Sequence, residues 1–217
     1  MKNYLFAITC IALLILTPVK AQKKKQNIFK ELFGVSVQET SDKFDGTTTY
    51  QMEGNRVFSQ LSGTNALGNL IFGTDAPTFK TFLNLEKQVL KNGAYELAIL
   101  FKVEADNEQF AKVMEGESLI FLLDYERFDL TTKGSYNSDF DIDIGGVSSV
   151  TNARYAISED QLEKINSSDK VEFRIILDSY QSGAAEGRDK NEQYLDGEFN
   201  KKNKRVWNEF EVDYLND

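Results

Sequence analysis

Apolar residues occupy every odd position from Tyr95 to Val103, through Leu97, Ile99 and Phe101. A period of two predicts a strand with one buried face. Just ahead of it, Asn92-Gly93 follows Val89-Leu90-Lys91, a hairpin signal where strands flank it. The stretch from Phe79 to Leu90 supports two readings. Phe79, Phe82, Leu83 and Leu90 suit a helix stopped at Gly93, whereas Leu83, Leu85 and Val89 suit a strand, the reading taken here. Leu119–Tyr125 is apolar on both faces, which predicts a central strand. Val171–Leu177 alternates and then turns apolar throughout. Shorter strands are expected at Val35–Gln38, Thr47–Met52, Val57–Leu61 and Leu67–Phe72.

Two helices interrupt this pattern. Ser158-Glu159-Asp160-Gln161 is a capping box, and Leu162 and Ile165 supply the buried side of a short helix ending near Asn166-Ser167-Ser168. Asn200 is placed to cap a second helix, with Val206, Trp207, Phe210 and Tyr214 as its apolar stripe. Lys201, Lys202, Lys204 and Arg205 would crowd the positive end of that helix dipole. Phe210, Val212 and Tyr214 also alternate as a strand would, so both readings stay open. The chain therefore reads as α+β: mainly antiparallel, sandwich-like sheet, a helix near 158–166 and a C-terminal helix near 201–215. No period of 20–50 residues repeats, which argues against solenoids and propellers.

The first 21 residues differ from all of this. Lys2 precedes an apolar run from Tyr4 to Leu16, followed by Pro18 and Val19-Lys20-Ala21. That order reads as a secretory signal peptide cut after Ala21, and the run is shorter than a membrane-spanning helix requires. An uncleaved N-terminal anchor is the alternative. Cleavage leaves 196 residues as one β-rich domain, with 22–43 open to being a flexible extension, and moves the formal charge from −9 to −11. It also removes Cys10, the sole cysteine, leaving no disulfide and no thiol metal site. The expected location is periplasmic or secreted.

Histidine is absent from all 217 residues, which excludes Ser-His-Asp and Cys-His triads and imidazole zinc sites. The acidic balance argues against nucleic acid and anionic lipid as partners. No phosphate-cradling glycine motif and no cofactor signature is present.

Gly116–Phe128 has the look of a strand pair around a polar turn. After it come Ala153–Ser158, the Leu162/Ile165 helix, the Val171–Leu177 strand, Tyr194-Leu195-Asp196-Gly197-Glu198-Phe199 and a Trp/Phe-bearing tail. Over about the last hundred residues this order resembles small secreted bacterial β-rich domains of no assigned activity. The resemblance implies a fold and a bacterial source, and brings no chemistry with it.

Few residues invite a chemical role. Asp139, Asp141 and Asp143 alternate with Phe140, Ile142 and Ile144. Three close carboxylates suggest calcium, but the sixth and twelfth positions counted from Asp139 are Ile144 and Val150, where an EF-hand loop needs glycine and glutamate. A half-exposed strand face explains the alternation better. Ser179–Gln193 reads as a long polar loop, either functional or disordered. Tyr180, Tyr194 and Trp207 are aromatics in polar neighbourhoods and are candidates for ligand contact, although a core position suits each of them better. The sequence thus favours an exported, acidic, non-catalytic binding or interaction domain, its partner an envelope or extracellular protein or glycan. A carboxylate-dependent hydrolase of polysaccharide is the rival, since such chemistry needs no histidine.

Overall fold

A computed structural model describes residues 34–63, 79–106, 109–136, 139–143, 146–181 and 192–215. The proposed signal segment, the strand expected at Leu67–Phe72 and most of the Ser179–Gln193 loop lie outside these residues.

The described residues form an α+β structure of mostly antiparallel sheet, sandwich-like but not closed. Sheet A is built from β1 (Ser36–Asp42), β2 (Thr47–Glu53), β4 (Phe79–Val89), β5 (Tyr95–Asp106), β9 (Asp139–Asp143) and β10 (Gly146–Ile157). Sheet B holds β6 (Gln109–Lys112), β7 (Ser118–Leu123), β8 (Glu126–Thr131), β11 (Val171–Gln181) and β12 (Glu192–Glu198). The strand β3 (Arg56–Gly63) joins them: Arg56 and Val57 pair with β4, whereas Phe58–Gly63 pair with β12. The continuous order is β8-β7-β11-β12-β3-β4-β5-β10-β9, with β2 also on β4, β1 on β2, and β6 on β11.

Alternation explains the layering. Leu83 and Leu85 of β4, and Ile99 and Phe101 of β5, turn inward, toward Leu119 and Phe121 of β7 and Phe173 and Ile175 of β11. Burying each such side chain stabilises the fold by about 1.5–3 kcal/mol. Phe79–Val89 is strand: Thr81 and Lys87 are buried in step with Leu83 and Leu85, so the inward face includes polar residues that blur its sequence signal. Leu119–Tyr125 is interior to sheet B but one-sided, because Leu122 is 43% exposed and Asp124-Tyr125 form the turn to β8. Residues 36–42, allowed by the sequence as part of a flexible extension, pair along their whole length with β2.

Helix α1 (Glu159–Ser167) starts as its capping box dictates: Gln161 N–H donates to Ser158 Oγ at 3.2 Å, and Ser158 N–H to Gln161 Oε1 at 3.0 Å. Helix α2 (Lys201–Phe210) is capped by Asn200 Oδ1, which accepts from Lys202 N–H at 2.9 Å and Asn203 N–H at 3.2 Å. A π-helical turn, Glu211–Leu215, carries it on, so Phe210, Val212 and Tyr214 do not form a strand. The crowding of cations is relieved because Lys204 leaves the helix N-terminus and donates to the carbonyls of Ser168 and Asp169, beyond the end of α1. Lys87, also buried, donates to the Tyr214 carbonyl at the end of the π turn. Each lysine thus meets carbonyls at a helix C-terminal end, where positive charge is favoured.

Candidate functional site

The structure separates the residues that the sequence nominated. Trp207 is fully buried; its Nε1–H donates to the Leu83 carbonyl at 3.1 Å, and its ring meets Phe199 at 4.3 Å between centroids. It is core, and its candidacy as a ligand contact is withdrawn. Asp139, Asp141 and Asp143 lie along β9, the edge strand beside β10, with Asp139 exposed. Among the described residues no group of three or more acidic, histidine or cysteine side chains is placed to hold a metal ion. Tyr180 lies on β11 opposite Phe110 of β6, and Tyr194 lies on β12 with the Arg174 guanidinium 4.8 Å from its ring centroid. These three places share no site.

A different residue draws attention. Register across sheet A sets Arg154 of β10 opposite Leu100 of β5, and the next row toward the β4–β5 turn holds Glu86, Ala98 and Ala156. The two alanines leave room for the guanidinium to reach along the outer face. Arg154 Nε–H donates to Glu86 Oε1 at 2.9 Å, while Nη2 lies 3.7 Å from Glu96 Oε2, beyond hydrogen-bond reach. Nη2 is enclosed and has no acceptor among the described residues. Orphaned buried N–H groups are rare in folded proteins, rarer than under-satisfied carbonyls.

Arg154 stands where two open cavities meet. One, of about 520 Å³, is bordered by Tyr95, Leu97, Lys133 and Ile157; the other, of about 760 Å³, by Glu53, Phe82, Leu100 and Glu104. Arg154 and Tyr136 line both, so the two adjoin as one groove beside sheet A; Glu96, Arg154 and Ala156 belong to the outward-facing set of β5 and β10, whereas Tyr95, Leu97 and Ile157 belong to the inward-facing set. Tyr95 is 37% exposed and has the Lys87 ammonium 4.7 Å from its ring centroid. Two carboxylates of the groove are engaged, Glu86 by Arg154 and Glu104 by Lys102 at 2.7 Å. On the opposite face of β10, the buried Tyr155 hydroxyl also lacks a partner; desolvation, then Glu117 and Tyr136, push its pKa up.

The outer face of sheet B also carries a cavity, of about 560 Å³, but the arginines that line it are paired. Phe58, 69% exposed, and Leu122 rise among Arg174–Asp196, a bidentate pair at 2.6 and 2.8 Å, and Arg127–Asp129 at 2.8 and 2.7 Å. The hydrogen bond from Arg127 holds the Asp129 carboxyl below its usual range. Glu211 is raised instead, by desolvation between α1 and the π turn, away from either outer face.

The groove was missed in the sequence. Glu86 and Glu96 lie 68 and 58 positions before Arg154, so only sheet register brings them together. Compared with protein-family models, curated proteins and solved structures, the chain matches none. No helix among the described residues is long and apolar enough to cross a membrane.

Proposed function

We propose that the protein is an exported, acidic, non-catalytic binding domain of the bacterial envelope or exterior, and that the sheet A groove around Arg154 is where it binds. One observation carries this reading: a guanidinium N–H enclosed at the junction of two cavities without an acceptor. A bound group that supplies the acceptor offsets the desolvation of that donor, about 1–3 kcal/mol or more for a charged group. The ion pairs at Glu86 and Glu104 support binding over catalysis, because both carboxylates are already engaged by a cation. The apolar start of the chain supports export.

The rival hydrolase keeps one specific support: Glu53, Glu86 and Glu104 border the same cavity. Incubating the purified protein with isolated envelope and extracellular polymer fractions separates the two. The binding reading expects retention on one fraction, weakened about tenfold or more in Arg154→Met, with no product released. Product release abolished by Glu53→Gln or Glu86→Gln would establish the hydrolase instead.

A further inference from the structure

On the outer face of sheet B the polar side chains reach solvent. Register sets Phe58, Glu198, Glu172, Leu122 and Arg127 in one row across β3, β12, β11, β7 and β8, and Gln60, Asp196, Arg174, Ile120 and Asp129 in the next. Val57, Leu195, Phe173 and Phe121 alternate with these rows and are buried, so both rows face outward. Phe58 and Leu122 thus stand on one side of the sheet, three strand spacings or about 14 Å apart. The cavity between them holds about 560 Å³, within the range of small-ligand sites.

Its charges disfavour ions. Two arginines and three carboxylates line it. Each guanidinium is held by an aspartate, and Lys170 lies 3.0 Å from Glu172. A free anion or cation must therefore displace a partner already in place. The pairs still have hydrogen bonds to give. Each guanidinium spends only two of its N–H groups on its aspartate, and the Arg174 and Arg127 side chains are 48% and 61% exposed. Arg174 also lies 4.8 Å from the Tyr194 ring centroid, which fixes the guanidinium before a ligand arrives. Gln60, exposed beside Asp196, adds an amide that both donates and accepts. Hydroxyls do the same, so a polyol matches these groups. The C–H face of a sugar ring matches Phe58, the exposed aromatic at one end. A protein covering the whole face would take both ion pairs out of water, a cost that a narrow saccharide avoids.

We infer that the outer face of sheet B binds a neutral saccharide of more than one ring, with Phe58 against a ring face and Arg174 and Gln60 on its hydroxyls. The site is separate from the sheet A groove and does not rest on it.

The experiment titrates the purified, isotope-labelled protein with neutral hexose, pentose, deoxyhexose and N-acetylhexosamine mono-, di- and trisaccharides. Acetate and a lysine-rich peptide serve as anionic and cationic probes. Amide resonances of Phe58, Gln60, Leu122 and Arg174, and the Arg174 Nε–H signal, are followed. The expected result is saturable movement of these signals with at least one neutral di- or trisaccharide and none with acetate or the peptide. Phe58→Ala and Gln60→Ala should each weaken that sugar about tenfold. Both positions are exposed, so the two variants keep the test open should one fold poorly. Arg154→Met, on the other sheet, should leave the sugar's affinity unchanged, which separates a failure here from a failure of the groove. No movement with any sugar would overturn the inference, as would movement with the charged probes alone or sugar binding indifferent to both sheet B variants. Movement on diluting the protein without sugar would overturn it too, by showing that a second copy covers the face.

Discussion

Two of the places where this molecule encloses polar groups treat them differently. Beneath α2, where β4 passes from β2 to β3, every donor of the cluster meets an acceptor. Asn55 Nδ2–H donates to the Leu83 carbonyl at 2.9 Å, and Asn203 Nδ2–H to Asn55 Oδ1 and the Arg56 carbonyl, both at 2.8 Å. Trp207 Nε1–H shares the Leu83 carbonyl. What lacks a partner there is an acceptor, Asn203 Oδ1. In the sheet A groove the orphan is a charged donor, the enclosed Arg154 Nη2, on a residue that lines both cavities. The first arrangement fixes a helix to two sheets. The second leaves a hydrogen bond unmade.

The contrast can be broken most forcefully at Trp207. Trp207→Ala removes the largest fully buried side chain and should lower unfolding free energy by about 3–5 kcal/mol, read from the urea midpoint. Binding in the groove, measured where the variant is still folded, should survive. Asn203→Ala should be less severe, about 1–3 kcal/mol, because it strips a donor from Asn55 Oδ1 and the Arg56 carbonyl. Arg154→Met should change stability by about 1 kcal/mol or less, since a partly exposed ion pair contributes little and an unpartnered N–H departs with it. Smallest is Glu211→Gln. Desolvation raises the Glu211 pKa in the folded state, so its charge opposes folding as pH rises through the interval between unfolded and folded values. The glutamine variant keeps an acceptor for Asn166 and escapes that loss. Its urea midpoint should match wild type in acid, below both values, and exceed it slightly at neutral pH.

Local signals in the sequence found what local chemistry decides. The Ser158/Gln161 capping box, the Asn200 cap, the Asn92-Gly93 turn and the alternation in Tyr95–Val103 all act over a few residues, and all formed as expected. Where a buried face carries polar residues the signal faded: Lys87 points inward in β4 because the Tyr214 carbonyl, 127 positions on, awaits it. The D-F-D-I-D alternation, better explained in the sequence by a half-exposed strand than by calcium, is an edge strand. Arg154 drew none, because Ala153, Tyr155 and Ile157 around it spell an ordinary strand. Its significance comes from Glu86 and Glu96 on two neighbouring strands and from the missing acceptor, neither of which any short window contains.

The most direct test of the central claim measures retention of Arg154→Met on the envelope or extracellular polymer fraction that holds the wild-type protein, at equal folded fraction by urea titration. The account predicts an unchanged urea midpoint, within about 1 kcal/mol, with retention weakened about tenfold or more. A fall in midpoint like that of Trp207→Ala with retention intact would contradict it, and would make Arg154 part of the scaffold.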